Sequence, residues 1–138
     1  MVPQDVLLKV LNAANWAPSG MDLQQWEFIV VSGIAIAQIG ESYRKVIERL
    51  ATGWEDERRK VFLQFAADFG GAPIIIIALT KASDNPVVRK MNLESVSAAF
   101  ENLLLAACAE GLGSCWMMGP LNDEASVSAN LTWRKFFF

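Results

Sequence analysis

The sequence of 138 residues contains no histidine and only two cysteines, Cys108 and Cys115. Without histidine, the chain can form neither a Ser-His-Asp triad, nor a Cys-His pair, nor a histidine-ligated metal site. Because the cysteines show no C-x-x-C spacing, we expect reduced thiols rather than a disulfide or zinc site, with Cys115 buried and inert. Any proton chemistry must then come from a cofactor or from bulk water, and we predict no metal.

Long apolar runs and basic stripes are also missing. The longest apolar run, residues 72–79, falls far short of the roughly 18 residues that cross a bilayer. No basic region precedes an apolar stretch at the start, so we expect no secretory signal and a cytoplasmic location. The net charge is −3 and the basic residues are scattered in pairs such as Arg58-Arg59, which argues against nucleic acid as a partner.

What the sequence has in abundance is apolar residues. It is 53% hydrophobic and only 20% charged, which is apolar for a monomer of this length. A large subunit interface would account for the surplus. The length fits a single domain over residues 1–138.

The spacing of apolar residues predicts alternating helices and strands. Helices are predicted over about 4–16, 36–50, 54–69 and from Asn92 or Ser95 to Gly111, strands over 26–31, 74–79 and 114–118, and a final short helix from Asn122. The strand at 74–79 does not alternate, which favours cover on both faces. The long helix before Gly111 is nearly all apolar and is expected to be buried, while the loop over 81–92 is expected to border a substrate opening.

A polar loop between the first helix and the first strand is the first candidate site. Its sequence, A-P-S-G-M-D-L-Q-Q-W over 17–26, offers backbone N–H groups and short polar side chains to a ligand phosphate or sugar. The alternative is an ordinary turn, in which Pro18 ends the helix and Gly20 supplies a positive φ.

A helix end, a predicted strand and a glycine turn over 110–120 form the second candidate site. Gly119 would let the backbone approach a planar ligand, and Trp116, Met117 and Met118 offer apolar and polarizable contacts. The alternative is a plain core strand.

Taken together, the two segments resemble the nitroreductase family. The loop and the E-F-I-V-V that follows it are similar to the family's A-P-S-x-x-N-x-Q-P-W segment and its strand. The stretch from Ala98 to Gly119 resembles the family's long apolar helix, which ends in G-L-G and runs into C-W-x-x-G. A G-A-P-I-I-I-I strand lies between them, and the resemblance covers roughly residues 4–120.

The resemblance implies an α+β fold, a three-layer α/β/α sandwich in which helices flank a central, mostly antiparallel sheet. It also implies a homodimer with two FMN sites built across the interface. Carried over residue by residue, the family's loop nominates Pro18, Ser19, Asp22 and Gln24 as FMN-binding residues.

The second segment, by the same resemblance, places Trp116, Met117, Met118 and Gly119 against the isoalloxazine ring. A backbone N–H there would polarise the flavin's reactive nitrogen for hydride uptake. The implied reaction is ping-pong: NAD(P)H reduces FMN and leaves, and then a nitroaromatic, quinone or similar small-molecule acceptor takes the electrons. No catalytic side chain is predicted, which agrees with the missing histidine.

The sequence departs from the family pattern in the loop and at both ends. Asp22 stands where asparagine is usual, and Gln25 stands where proline is usual. Family members usually begin with an arginine-rich segment that holds the flavin phosphate, and they continue further after C-W-x-x-G, so we expect a shortened chain. The alternative function is therefore a truncated or non-catalytic nitroreductase-like protein that dimerises but binds FMN weakly or not at all. The terminal Phe136–Phe138 cluster is predicted to be buried.

Overall fold

A computed structural model describes residues 1–118 of the chain. The elements in order are α1 (Gln4–Ala14), a 3₁₀ turn (Gly20–Asp22), β1 (Trp26–Ser32), α2 (Ile34–Leu50), α3 (Asp56–Asp68), β2 (Ile74–Thr80) and α4 (Pro86–Ala109). In the described range, β1 and β2 pair in a small antiparallel sheet. The protein is therefore α+β, as the sequence predicts, and α1, α2, α3, β1 and β2 lie within two residues of their predicted bounds.

The described residues fall into two compact units, one formed by residues 1–29 and 76–115 and the other by residues 30–75 with 116–118. In the first unit α1 packs against α4. The apolar side chains buried there recur every three or four residues: Val10, Leu11 and Ala14 on α1, and Val96, Ala99, Leu103 and Ala107 on α4. At the edge of this contact, Asn102 donates to the carbonyl oxygen of Ala13 at 3.3 Å.

In the second unit α2 packs against α3. The rings of Tyr43 and Phe69 stack with centroids 5.7 Å apart. Gly40 lies at the closest approach of the two helices, where a Cβ would overlap the carbonyl oxygen of Ala66 and lie 2.7 Å from that of Ala67. The absence of a side chain at Gly40 therefore permits this packing distance.

The start of α4 corrects the prediction that Asn92 or Ser95 caps the helix. The N-cap is Asn85, whose Oδ1 accepts the N–H groups of Val87 at 2.9 Å and Val88 at 3.4 Å. Pro86 occupies the first helical position, where its fixed φ and missing N–H suit a helix start. The loop after β2 is consequently limited to residues 81–85.

The predicted end of the same helix at Gly111 is confirmed. Gly111 has φ of 77° and donates to the carbonyl oxygen of Cys108 at 3.0 Å, and Leu112 donates to that of Ala107 at 2.9 Å. These two bonds form a Schellman motif, which satisfies carbonyl groups that the helix end leaves unpaired.

Burial is lower than the sequence suggests. One face of α4 is buried, but Val87, Leu93 and Leu105 on its other faces are 75%, 57% and 61% exposed. In β2 only Ile77 is fully buried, and Leu79 is 40% exposed. The expectation of a wholly buried helix is thus wrong for the described part of the chain, because packing covers one side of α4. The cover expected on both faces of β2 is incomplete: both faces are half-buried, and Ile77 and Leu79, which share a face, are buried and exposed respectively.

The predicted strand at 114–118 is irregular in the structure. Within residues 1–118 the sheet has two strands, β1 and β2. Trp116 is 45% exposed and Cys115 is exposed, so the core-strand alternative and the buried thiol are both wrong. The predictions for Gly119, the helix from Asn122 and the Phe136–Phe138 cluster lie outside the described residues.

Candidate functional site

The first candidate site is the loop that connects α1 to β1. Its first residue, Ala17, is 5% exposed and donates to the carbonyl oxygen of Ala14 at 3.1 Å, which seats the loop on the end of the helix. Pro18 is exposed, and Ser19 is half-buried. The chain then makes the 3₁₀ turn and returns to β1.

The loop has an unusual backbone. Met21, Asp22 and Gln24 have φ of 56°, 53° and 45°, although none of them is glycine. Gly20 does not have a positive φ. The positive φ that was expected of it in an ordinary turn is therefore found at its non-glycine neighbours instead. A non-glycine residue in the left-handed region costs about 1 kcal/mol or more, and such strain concentrates at functional sites. Three of them within four positions must be held by surrounding contacts.

Bonds within the loop bring three of the predicted residues together. The Ser19 hydroxyl oxygen accepts the N–H of Gln24 at 3.0 Å, and the Ser19 carbonyl accepts the N–H of Asp22 at 3.1 Å. The Gln24 side-chain amide donates to the Asp22 carboxylate at 3.3 Å. Asp22 and Gln24 are both exposed, so these side chains face solvent from a closed backbone ring.

A serine of α4 anchors the loop. Ser95 is 7% exposed, and its Oγ accepts the N–H of Gly20 at 3.0 Å while donating to the carbonyl oxygen of Met91 at 2.7 Å. Gly20 lies so close to α4 that a Cβ would overlap the Met91 side chain. The loop is thus attached to the helix both by a hydrogen bond and by close packing.

A second polar residue of α4 holds the end of β2. Asn92 is 1% exposed and donates from Nδ2 to the carbonyl oxygen of Lys81 at 2.8 Å. Thr80 donates from Oγ1 to the carbonyl oxygen of Gln25 at 3.2 Å, which links β2 to the residue before β1. Asn92 and Ser95 therefore support the candidate site from within α4, whereas the sequence predicted one of them as the cap of this helix. The available signal was their position: Asn92 and Ser95 continue the three-to-four spacing of Val96, Ala99 and Leu103, which places two polar residues on the buried face of α4.

An open depression of about 510 Å³ lies beside the loop. Its lining comprises two amides, a hydroxyl, a carboxylate, an ammonium, an indole and an aliphatic side chain: Gln24, Gln25, Trp26, Glu27, Leu79, Thr80 and Lys81. Only Gln24 of these belongs to the nominated residues. Of the loop over 81–92, which was expected to border a substrate opening, Lys81 lines this depression, and the start of β1 and the end of β2 form its other walls.

The second candidate segment divides between the two compact units, with residues 110–115 in the first and residues 116–118 in the second. Trp116 and Met118 are 45% and 73% exposed, and Met117 is half-buried. These side chains present apolar and polarizable surface. The fourth nominated residue, Gly119, lies beyond the described range.

Comparison with known proteins identifies the family. A family model for the nitroreductase family matches residues 1–137. The chain belongs to the nitroreductase family. The family resemblance found in the sequence is therefore confirmed.

Relatives and solved structures agree with this assignment. YdjA of Escherichia coli strain K12, a proposed NAD(P)H nitroreductase, is 29% identical over 122 residues, which are 88% of this chain and 64% of YdjA. Iodotyrosine deiodinase of Thermotoga neapolitana is 34% identical over 124 residues, covering 81% of this chain and 61% of that protein. The chain thus spans less than two thirds of each of these relatives.

A crystal structure of a nitroreductase with bound FMN from Bacteroides fragilis superimposes with a TM-score of 0.66. It is 26% identical, and the match covers 94% of this chain and 67% of that one. The nitroreductase-like fold predicted from the sequence is thereby confirmed.

Proposed function

We propose that this nitroreductase-family chain is an FMN-dependent oxidoreductase that transfers electrons from NAD(P)H to a nitroaromatic, quinone or similar acceptor by a ping-pong mechanism. Family membership and the FMN bound to the Bacteroides fragilis relative support the cofactor. The name of YdjA supports the electron donor. The observation in the chain itself that carries the proposal is the strained and anchored loop at Ser19–Gln24.

The exposed groups of the loop fit the polar parts of a flavin. The Gln24 amide keeps an acceptor oxygen and a second N–H beyond its bond to Asp22, and such an amide can pair with a ring carbonyl and imide N–H. The Ser19 oxygen accepts from Gln24, so its own O–H is available to donate to a ribityl hydroxyl or phosphate oxygen. Pro18 offers an exposed apolar face beside them.

FMN, when bound, would supply the hydride and electron chemistry, and this chain's residues would bind and orient it. We propose that Ser19 and Gln24 bind the polar groups of the cofactor. As a separate proposal, which rests on the family resemblance alone, Trp116, Met117, Met118 and Gly119 contact an isoalloxazine ring. No side chain of the chain is required to transfer a proton. As part of the same proposal we place the activity in the cytoplasm, where NAD(P)H is supplied.

We further propose that the protein is a homodimer. In the first unit, large apolar side chains are exposed on and around the loop: Trp16 at 81%, Met21 at 82% and Leu23 at 51%. On α4 of the same unit, Val87 and Leu93 are 75% and 57% exposed. Clustered exposed apolar surface of this kind is typical of a subunit interface. Sedimentation at micromolar concentration tests this; a monomer of 15.2 kDa would contradict it.

A second candidate function is a family member that keeps the fold but binds FMN weakly or not at all. The exposed Asp22 carboxylate favours it, because a negative charge beside the loop repels a phosphate and an electron-rich reduced ring. This repulsion would cost on the order of 1 kcal/mol or more where water is excluded.

The absorbance spectrum of the purified protein distinguishes the two candidates. We expect a flavin band near 450 nm, a known property of the free cofactor, that persists after unbound FMN is removed and bleaches on addition of NAD(P)H. Re-oxidation by a nitroaromatic or quinone would then establish the acceptor class. A colourless protein that retains no added FMN would favour the non-catalytic candidate.

A further inference from the structure

We propose that Ser95 is a positioning residue that holds the loop over residues 18–24 on α4 in the conformation that receives the cofactor. The part of this inference that concerns FMN rests on the proposed function. The part that concerns the loop conformation stands on the geometry of the chain alone. Ser95 would touch neither cofactor nor substrate, and it would act through Gly20.

The hydroxyl of Ser95 is fully used. It donates to the carbonyl oxygen of Met91, one turn earlier in α4, and accepts the N–H of Gly20. A serine in the middle of a helix that bonds back to its own backbone does not strengthen the helix. Ser95 is only 7% exposed. If its hydroxyl is removed, water therefore has little access to the N–H of Gly20 and cannot readily replace the lost hydrogen bond. Helix stability therefore does not explain a serine at this buried position, whereas the hydrogen bond to Gly20 does.

The place of the anchor in the loop is the second observation. Gly20 comes directly before the strained residues Met21 and Asp22, and Gln24 follows two positions later. Because Gly20 has no side chain, its backbone lies against Met91, and a larger residue would hold the loop away from α4. Fixing Gly20 thus fixes the point from which the strained backbone departs. Without the anchor, the loop would relax toward ordinary φ values and displace Ser19 and Gln24.

The chain provides a matched control in Ser97. Its hydroxyl donates to the carbonyl oxygen of Leu93 at 2.7 Å, which reproduces the bond from Ser95 to Met91 on the same helix. Ser97 is bonded only within α4 in the described structure. Ser97→Ala therefore removes a side-chain-to-backbone bond of the same kind as the one that Ser95→Ala removes, and it leaves the hydrogen bond between Ser95 and Gly20 in place.

Two measurements on the purified protein test the inference. Amide hydrogen exchange of residues 18–24 should accelerate about tenfold or more in Ser95→Ala and stay unchanged in Ser97→Ala. The Kd for FMN, measured by flavin fluorescence, should rise about tenfold in Ser95→Ala and less than about twofold in Ser97→Ala. Equal exchange in the two variants would overturn the inference. If Ser95→Ala shows faster loop exchange but an unchanged Kd for FMN, the part of the inference that concerns the cofactor is overturned.

Failure of the proposed function is distinguishable from failure of this inference. A wild-type protein that does not bind FMN would refute the former, while loop exchange would still decide the role of Ser95. If Ser95→Ala does not fold, the pair Ser95→Thr and Ser95→Val replaces it, since both add a methyl group and only threonine keeps the hydroxyl. We expect slow loop exchange in the threonine variant alone, and equal exchange in both would overturn the inference.

Discussion

The Gln24 side chain donates a hydrogen bond to the carboxylate of Asp22, with 3.3 Å between Nε2 and Oδ1. Both side chains are exposed on the loop, so the pair orients the Gln24 amide without burying the charge. The family's usual asparagine would offer the same acceptor oxygen. The negative charge at position 22 is therefore not needed for the loop geometry.

Replacing Asp22 by asparagine is expected to tighten FMN binding. The Oδ1 acceptor for Gln24 is retained, while the repulsion from the flavin phosphate and reduced ring is removed. A gain of roughly 1 kcal/mol corresponds to a Kd lower by about fivefold to tenfold. Fluorescence titration of FMN measures it. Glu57→Gln in the first turn of α3 is the control for the change in net charge; equal affinities in wild type and Asp22→Asn would contradict the prediction.

Gly20→Ala is expected to destabilise the docked loop, because the new Cβ would overlap Met91. Met91 is flexible, so part of the overlap can be relieved by rotamer changes at a cost of about 1–3 kcal/mol. Met91→Ala should remove the overlap at the expense of packing. We therefore expect the double variant to lose less free energy of unfolding than the sum of the two single variants. Additive losses in urea unfolding would show that the two residues do not interact.

The cap of α4 gives a third prediction. Asn85→Ala removes the side-chain acceptor for the N–H groups of Val87 and Val88 and should lower the free energy of unfolding by about 1 kcal/mol. Asn85→Asp keeps an acceptor at the same position and should retain most of the stability. Thermal unfolding of the three proteins compares them. Equal losses in the alanine and aspartate variants would speak against a capping role.

Much of this fold could be predicted from periodicity. The apolar spacing located α1, α2 and α3, and β-branched runs located β1 and β2. These patterns report which residues a single element buries. The same reasoning missed the start of α4, because Asn85-Pro86 is a start signal that lies in a polar stretch without apolar periodicity.

The supporting residues of the candidate site were harder to predict for a different reason. Ser95 and Asn92 act on segments far away in the sequence, so their partners Gly20 and Lys81 are known only from the fold. Local rules favour serine and asparagine as caps, and that preference overrode the alternative of buried tertiary bonds. The positive φ values at Met21, Asp22 and Gln24 were likewise unpredictable, since glycine was the expected residue for such a backbone.

Gly40→Ala is expected to destabilise the second unit, against the usual rule. On an exposed helix, glycine to alanine stabilises by about 1 kcal/mol. Here the Cβ would meet the carbonyl oxygens of Ala66 and Ala67, which are backbone atoms and cannot rotate away. We expect a net loss of about 2 kcal/mol or more in the free energy of unfolding. Gln38→Ala, on the exposed side of α2, should be neutral; a stable Gly40→Ala would mean that the helices separate readily.

Asn92→Asp should make stability depend on pH. Asn92 is 1% exposed and donates to the carbonyl oxygen of Lys81, so an ionised aspartate there would be buried facing an acceptor. Burial raises the pKa of such a carboxyl above its unfolded value of about 3.9. The unfolded state then binds fewer protons than the folded state between the two pKa values. The loss of stability is therefore complete above the folded pKa and shrinks as pH falls toward the unfolded one.

The contact between position 92 and the Lys81 carbonyl also sets the expected size of the pH effect and the choice of control variant. At pH 7 we expect a loss of about 3 kcal/mol in the free energy of unfolding relative to wild type, as for other buried charges without a partner. Near pH 4 the protonated carboxyl can donate to the Lys81 carbonyl, as the amide does, and the loss should fall by half or more. Asn92→Leu lacks both donor and charge, so its loss should be the same at both pH values. If urea unfolding shows Asn92→Asp to be equally destabilised at pH 4 and pH 7, position 92 is more hydrated than its burial indicates.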